Sequence, residues 1–284
     1  MKKRRISTWG ALLFLFALGS FSFQMGFLYL QANFQVEYID NRIFYIINML
    51  CVLCLGVAIY LLLALTGKWK WMMGSLFAIL LVVNGVLLVG SNQMVKHTLS
   101  LAPNYKHILS IKQNLDNGEA QYYRSYYGIL ARPKEKLAEE PTGRLKVDWL
   151  ENDVAVVTYK TANQTIQQFI GTYGDRGDGS SYYEVGSVIR GIWQGENVEV
   201  VTDQEGITVI DHDQQELFEW EQIRQYGTLA IVLMESNEAA WTISLNENFQ
   251  MDSSGSGPPS GGIQLYKATM KENKPIPLTY KGTN

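Results

Sequence analysis

Two short polar strings are the first places where the sequence could carry chemistry. Residues 175–181 (DRGDGSS) bring two carboxylates together, but Asp175 and Asp178 are three positions apart, whereas an EF-type calcium loop places acidic ligands at every second position. Residues 211–213 (DHD) put an imidazole between two carboxylates, yet neighbouring residues of a strand point to opposite faces. Both strings are therefore predicted to be solvated turns between strands.

The rest of the sequence offers no catalytic or cofactor motif. Neither a nucleophile elbow (G-x-S-x-G) nor a phosphate-binding loop occurs, and the chain has three histidines. Cys51 and Cys54 have the C-x-x-C spacing of redox and zinc sites, but both lie in a long apolar run, so we interpret them as small apolar residues. The sequence predicts no cofactor and no metal, and it favours a protein that is not an enzyme.

Four tyrosines form the candidate binding surface that the sequence suggests, although the signal is weak. Tyr122, Tyr123, Tyr126 and Tyr127 stand at i, i+1, i+4 and i+5 of residues 119–130, a segment that we interpret as a helix. Residues with this spacing share one helical face. Such a face could stack on sugar rings; the alternative is that it packs on a neighbouring sheet.

Three long apolar runs open the chain and predict a membrane protein. They extend over about residues 9–32, 43–65 and 72–94, contain no Asp, Glu, Lys or Arg, and are long enough to cross a hydrocarbon core of about 30 Å. Because a backbone in lipid must satisfy its own hydrogen bonds, each run is predicted to be a transmembrane helix. Their few polar groups, Gln24 and Asn48 among them, are too sparse to line a channel.

Positive charges predict the orientation of these helices. Basic residues precede the first run at positions 2–5, and Lys68 and Lys70 separate the second run from the third. Since basic segments stay in the cytoplasm, we expect a multi-pass protein of the cell membrane with a cytoplasmic N-terminus and an extracellular C-terminal domain. The first run could instead be a cleaved signal sequence, which would leave the C-terminal domain on the same side.

The chain after residue 94 is acidic and has no cysteine. Residues 95–284 contain 17 Lys and Arg against 25 Asp and Glu, a net charge of −8, which argues against nucleic acid as a partner. Without a disulfide, this part must be stabilised by its hydrophobic core. Because secreted eukaryotic domains commonly carry disulfides, we interpret the chain as a bacterial, Gram-positive surface protein.

The hydrophobic pattern changes to a period of two after residue 143. A hairpin is predicted from residues 145–149 and 154–160, and about ten strands in all, separated by turns, favour an antiparallel sandwich or barrel. Proline-containing residues after position 270 are predicted to be a loose tail. Four tryptophans of the predicted strands are expected to fill the core: Trp149, Trp193, Trp220 and Trp241.

The predicted fold class is therefore an α+β membrane protein in three parts. Residues 1–94 form a membrane domain with three transmembrane helices, residues 95–143 a juxtamembrane helical segment and connector, and residues 144–284 a β-rich extracytoplasmic domain. The juxtamembrane segment is expected to contain one or two helices, in residues 104–115 and 119–130.

The sequence has no recognisable catalytic motif, and it has a large outer domain. These two features lead to three hypotheses on function. The first is a non-enzymatic accessory or sensor protein that acts through another integral membrane protein. The second is a stand-alone binder of cell-wall glycan or peptide, and the third is an unrecognised extracytoplasmic hydrolase, for which no nucleophile or base can be named. The expected partners are thus the lipid bilayer, an integral membrane protein and a cell-wall component, but not nucleic acid.

Overall fold

The computed structural model describes residues 2–174, 184–212, 214–251 and 257–283. The DRGDGSS string and the last residue of the DHD string lie outside the described residues. The chain divides into two compact units. The first comprises Met1–Thr98, Ser110–Asn117 and Gln121–Glu135, and the second comprises Leu99–Leu109, Gly118–Ala120 and Lys136–Asn284.

Three long helices open the first unit: α1 (Lys2–Phe34), α2 (Arg42–Leu62) and α3 (Gly67–Met94). Each contains a stretch that is long and apolar enough to cross a membrane. α1 packs against α2, and α2 packs against α3, while α3 itself buries none of its residues. The three apolar helices predicted from the sequence are confirmed.

A five-stranded sheet follows the helices, and most of its residues belong to the first unit. Its strands are β1 (Glu37–Tyr38), which lies between α1 and α2, β2 (Val95–Leu101), β3 (Ile108–Asn114), β4 (Ala120–Tyr126) and β5 (Leu130–Lys136). Their order in the sheet is β1-β5-β4-β3-β2. β1 is antiparallel to β5, with Glu37 opposite Ala131 and Tyr38 opposite Leu130.

The juxtamembrane helices predicted in residues 104–115 and 119–130 are wrong, because these segments form β3, β4 and the start of β5. Leu109 and Ile111 are both completely buried, and a spacing of two is that of one face of a strand. The helical spacing of three and four residues, read from Ile108, Ile111 and Leu115, does not describe this segment. In β4, the run of tyrosines favours a strand, since aromatic residues pack well on a pleated surface.

The second unit is almost entirely antiparallel β-structure. A three-stranded sheet contains β6 (Thr142–Glu151), β7 (Val154–Lys160) and β8 (Ile166–Thr172), in that order. The short helix α4 (Val185–Val188) follows. Nine further strands are β9 (Gly191–Gln194), β10 (Val198–Thr202), β11 (Gly206–Asp211), β12 (Gln214–Glu219), β13 (Ile223–Tyr226), β14 (Ala230–Glu235), β15 (Glu238–Leu245), β16 (Gly262–Lys267) and β17 (Ile276–Gly282). The hairpin predicted from residues 145–149 and 154–160 is confirmed, because β6 and β7 pair in antiparallel fashion.

These nine strands curl into a near-barrel with the order β12-β11-β10-β9-β17-β16-β15-β14-β13. Its two end strands are consecutive in the chain, joined by the 3-10 turn Trp220–Gln222. Trp193 and Trp241 are fully buried in its core, as predicted, whereas Trp220 is 37% exposed. The antiparallel, barrel-like architecture expected from the alternating pattern is thus confirmed.

The loose tail predicted after residue 270 is wrong, because β17 pairs with β16 and β9 inside the sheet. Pro277, which led to that prediction, lies opposite Gln264 of β16, and pairing with β9 on the other side begins only at Thr279. A proline without an N–H is tolerated where a strand is paired on one side only.

Candidate functional site

Polar side chains of the first unit meet around β1, a strand of two residues. Glu37 and Tyr38 are neighbours on this strand, so their side chains point in opposite directions. Tyr38 contacts α1 and α2, whereas Glu37 binds side chains of β3 and β4. β1 therefore links the helices of the first unit to its sheet.

Tyr38 is inserted between α1 and α2 and is 2% exposed. Its ring stacks on Phe27 with the centroids 4.0 Å apart, and its hydroxyl donates to Oε1 of Gln24 at 2.9 Å. The amide of Gln24 donates in turn to the Phe44 carbonyl (2.9 Å) and to Oδ1 of Asn48 (3.1 Å). Burial raises the pKa of Tyr38 to about 12, so it acts as a neutral hydrogen-bond donor.

Glu37 forms an ion pair with a buried lysine. Nζ of Lys112 lies 2.6 Å from Oε2 of Glu37 and 2.8 Å from Oδ1 of Asn41, and it lies 4.3 Å from the ring centroid of Tyr123. The Tyr123 hydroxyl donates to Oε1 of Glu37 at 3.3 Å. The Lys112 side chain is 5% exposed and that of Glu37 is 31% exposed. Burial lowers the pKa of Lys112, and the carboxylate of Glu37 opposes this effect.

A second charged pair and a histidine adjoin this ion pair. Asp40 is buried and accepts hydrogen bonds from the backbone and guanidinium of Arg42. Burial alone would raise the pKa of Asp40, but the bonds from Arg42 hold it below its usual value. Both ring nitrogens of His97 are buried and have no hydrogen-bond partner among the described residues.

Four charged groups act on the pKa of His97, and they oppose one another. Burial lowers its pKa most; Asp40 and Glu37 act to raise it, and Lys112 and Arg42 act to lower it further. The outcome is a pKa below the ordinary histidine value, so His97 is neutral at pH 7. Protonation would place a positive charge beside two existing cations.

Backbone contacts attach the segment around β1 to the sheet as well. The Ile39 N–H donates to the Ile129 carbonyl at 2.9 Å, and the Ser110 hydroxyl donates to the Ile39 carbonyl at 2.9 Å. At the other edge of the five-stranded sheet, α3 ends at Met94 and β2 begins at the next residue. The N–H of Leu115 donates to the Met94 carbonyl at 2.9 Å. Helices and sheet are thus connected at two places: α3 continues directly into β2, and two residues separate α1 from β1.

A cavity of about 310 Å³ opens beside β1 at this end of the helices. Its lining includes Phe27, Glu37, Tyr38, Asn41, Tyr45 and Ser91. It combines aromatic rings with a carboxylate and amide groups, a mixture typical of sites for small polar molecules. Within the described part of the chain, no group of three or more His, Cys, Asp or Glu is arranged to hold a metal.

The four predicted tyrosines do not form one surface, because the helix that placed them together is a strand and a turn. Tyr122 and Tyr123 are 4% and 8% exposed, whereas Tyr126 and Tyr127 are 44% and 95% exposed. Tyr123 reaches the ion pair of Lys112, a role that the sequence did not indicate. Binding of a glycan by the four tyrosines stays a prediction.

Two polar side chains inside the second unit, Gln168 and Lys146, have several structural partners. Between its two sheets, Gln168 donates to the Thr158 hydroxyl at 3.0 Å and accepts from the Thr242 hydroxyl at 2.6 Å. Nζ of Lys146 donates to the carbonyls of Thr269 (3.0 Å) and Lys271 (2.6 Å). These bonds fix the sheets and the loop before β17. Nζ of Lys146 also lies 3.5 Å from Oδ2 of Asp148 and 5.2 Å from the ring centroid of Tyr266, whose hydroxyl donates to the same carboxylate.

Comparisons with protein-family models, with curated proteins and with solved structures gave no match. The cluster around β1 is the most distinctive feature of the chain, because it contains two buried charged residues, Asp40 and Lys112, at the point where helices meet sheet.

Proposed function

We propose that this chain is a three-span protein of the cell membrane, with a cytoplasmic N-terminus and an extracellular β-rich part. It acts as a non-enzymatic accessory or sensor protein through another integral membrane protein. The observation that carries the proposal is the joining of the apolar helices and the five-stranded sheet into one unit through β1 and through the α3–β2 continuation.

A simple anchor needs only a tether between helix and domain. Here, the buried Lys112–Glu37 pair and the insertion of Tyr38 between α1 and α2 fix the sheet to the helices. A displacement of the sheet is then transmitted to the helices, because packed elements move as bodies and do not deform continuously. Such coupling suits a protein that passes a change outside the membrane to a partner within it.

The arrangement of the helix ends fits the proposed orientation. β1 follows α1, and β2 follows α3, so both connections to the sheet lie at one end of the helices. Lys68 and Lys70 lie at the other end, together with Trp69 and Trp71, which are 56% and 80% exposed. Lysines mark the cytoplasmic end of a span, and tryptophans favour membrane interfaces.

α3 supplies the surface for a partner helix. It buries none of its residues, and a Cβ added at Gly74 or Gly85 would meet nothing within 4 Å. Small residues let the backbones of two membrane helices approach closely. Gly74 also borders an apolar groove of about 270 Å³ between α2 and α3, which includes Gly56 and Phe77.

Chemical crosslinking in intact cells, followed by purification of the tagged chain and mass spectrometry, tests this function. We expect one integral membrane protein to be captured reproducibly and to be lost with Gly74→Leu, which adds bulk to the exposed face at a position where a Cβ would meet nothing within 4 Å. Gly19→Leu is the matched control, since Gly19 on α1 also has nothing within 4 Å of an added Cβ. Equal capture by both variants, or transport of solute by the purified chain alone, would contradict the proposal.

The second candidate is a stand-alone binder of cell-wall glycan, favoured by the exposure of Tyr127 (95%) and Tyr126 (44%) at the β4–β5 turn. Aromatic rings at such positions can stack on sugars. The full-length protein in detergent should then sediment with purified cell wall, and Tyr127→Ala should reduce the bound fraction. Sedimentation that is unchanged by this substitution would remove Tyr127 from the binding surface.

A further inference from the structure

Among the described residues, Glu37 is the one acidic residue on the lining of the cavity beside β1, which includes no lysine or arginine, and its side chain is 31% exposed. Lys112, the cation that neutralises it, is 5% exposed and lies on the sheet side of β1. A carboxylate can accept about four hydrogen bonds, whereas Glu37 accepts one from Lys112 and one from Tyr123. The negative end of this pair is thus available to a donor in the cavity.

Aromatic residues line the same cavity as Glu37. Phe44 and Tyr45 are half-buried, with ring centroids 5.4 Å apart and planes at 88°, so they form a corner. Phe27 and Tyr38 also belong to the lining. The faces of such rings carry negative potential and attract ammonium groups. Carboxylate and rings together favour a cation, whereas an anion would find no accessible positive group on the lining.

We propose that this cavity binds the ammonium group of a small organic amine, either a free amine or the headgroup of an aminophospholipid. Its volume of about 310 Å³ lies at the lower end of the range for small-molecule sites. This inference deepens the proposed function, and it rests on that function for the role of the amine as a signal. A ligand in the cavity would contact β1, the strand that joins helices to sheet.

Binding is tested with the full-length chain in nanodiscs, using two probes. Ethanolamine is titrated by calorimetry into nanodiscs of phosphatidylglycerol, and retention of phosphatidylethanolamine is measured by native mass spectrometry after mixed-lipid reconstitution. Binding of free ethanolamine identifies a soluble amine as ligand, and selective retention of the lipid alone identifies the headgroup. Binding of neither probe overturns the proposal.

Two variants localise the site. Ser91→Trp fills the cavity and is expected to weaken binding at least tenfold, while Asn92→Trp, the same change one residue further on α3 at an exposed position outside the lining, leaves binding unchanged. Glu37→Gln removes the charge and should also weaken binding. Equal affinity in the two tryptophan variants overturns the assignment of the site.

Failure of this inference differs from failure of the proposed function. Capture of a partner in cells, with no binding of either probe, refutes the amine site alone. Binding of a probe that Ser91→Trp abolishes, without any captured partner, refutes the accessory function and leaves the site standing.

Discussion

The ion pair between Glu37 and Lys112 predicts an asymmetric response to substitution. Glu37→Gln leaves Lys112, which is 5% exposed, as a buried charge without its ion-pair partner, and such a loss costs about 3 kcal/mol or more. Lys112→Met leaves Glu37, which is 31% exposed and keeps the Tyr123 hydroxyl as a donor. Because that carboxylate can recover water, we expect a smaller cost of about 1.5 kcal/mol.

The double variant sharpens this prediction. Adding Lys112→Met to Glu37→Gln removes the uncompensated charge, so part of the lost stability should return. A difference of about 3 kcal/mol corresponds to roughly a hundredfold change in an opening equilibrium. Hydrogen-exchange mass spectrometry on the full chain in nanodiscs can resolve such a change in peptides that cover β1 and β3.

Lys106→Met is the control for this series, since Lys106 is exposed in the turn between β2 and β3 and its loss should leave exchange unchanged. The reasoning is refuted if Glu37→Gln and Lys112→Met accelerate exchange equally. It is also refuted if the double variant is less protected than Glu37→Gln alone, because no buried charge would then be responsible.

Three further predictions concern other parts of the chain. Burial lowers the pKa of His97 below its ordinary value of about 6.5, so the unfolded chain binds a proton at this residue more readily than the folded chain. Thermal stability should therefore fall as the pH drops from 7.5 to 5, and His97→Phe should reduce this fall. Tyr38→Phe keeps the ring stack but leaves Oε1 of Gln24 without its donor, which should cost about 1 kcal/mol in thermal unfolding. Gly206→Ala should destabilise β11 by about 2 kcal/mol, measured by hydrogen exchange, because φ is +155° and a Cβ would lie 2.1 Å from the Phe218 carbonyl oxygen.

Each of these predictions has an outcome that contradicts it. An identical pH dependence with and without His97 would assign the effect to another group. Unchanged unfolding of Tyr38→Phe would mean that Gln24 finds another donor. For Gly206, the control is Gly85→Ala on α3, where an added Cβ has nothing within 4 Å; equal protection in the two variants would argue against strain at β11.

The elements that the sequence predicted well are those whose pattern is local and strong. The three helices follow from uninterrupted apolar runs, and the β6–β7 hairpin follows from alternation on both sides of a polar turn. β3 was missed because Ile108 and Ile111 also fit a helical spacing, and only the burial of Leu109 beside Ile111 decides for a strand. β17 was missed because Pro277 suggests a break until its one-sided pairing is known.

The candidate site could not be predicted in the same way, since its contacts join distant parts of the chain. Lys112 and Glu37 are 75 positions apart, and in the sequence each reads as an ordinary surface charge. The local feature that could have indicated burial of Lys112 is its position directly after Leu109-Ser110-Ile111. This short segment contains two fully buried apolar residues. Alternation alone would have placed its side chain on the opposite, solvated face.

The short length of β1 explains why side chains matter so much at this site. A strand of two residues forms few backbone hydrogen bonds with β5, so its attachment depends on the ion pair of Glu37 and on the insertion of Tyr38. A buried ion pair contributes little net stability compared with apolar packing, but its geometry is specific. The connection between helices and sheet is therefore specific, and we expect a ligand that contacts Glu37 and Tyr38 to shift it with the energy of a few hydrogen bonds.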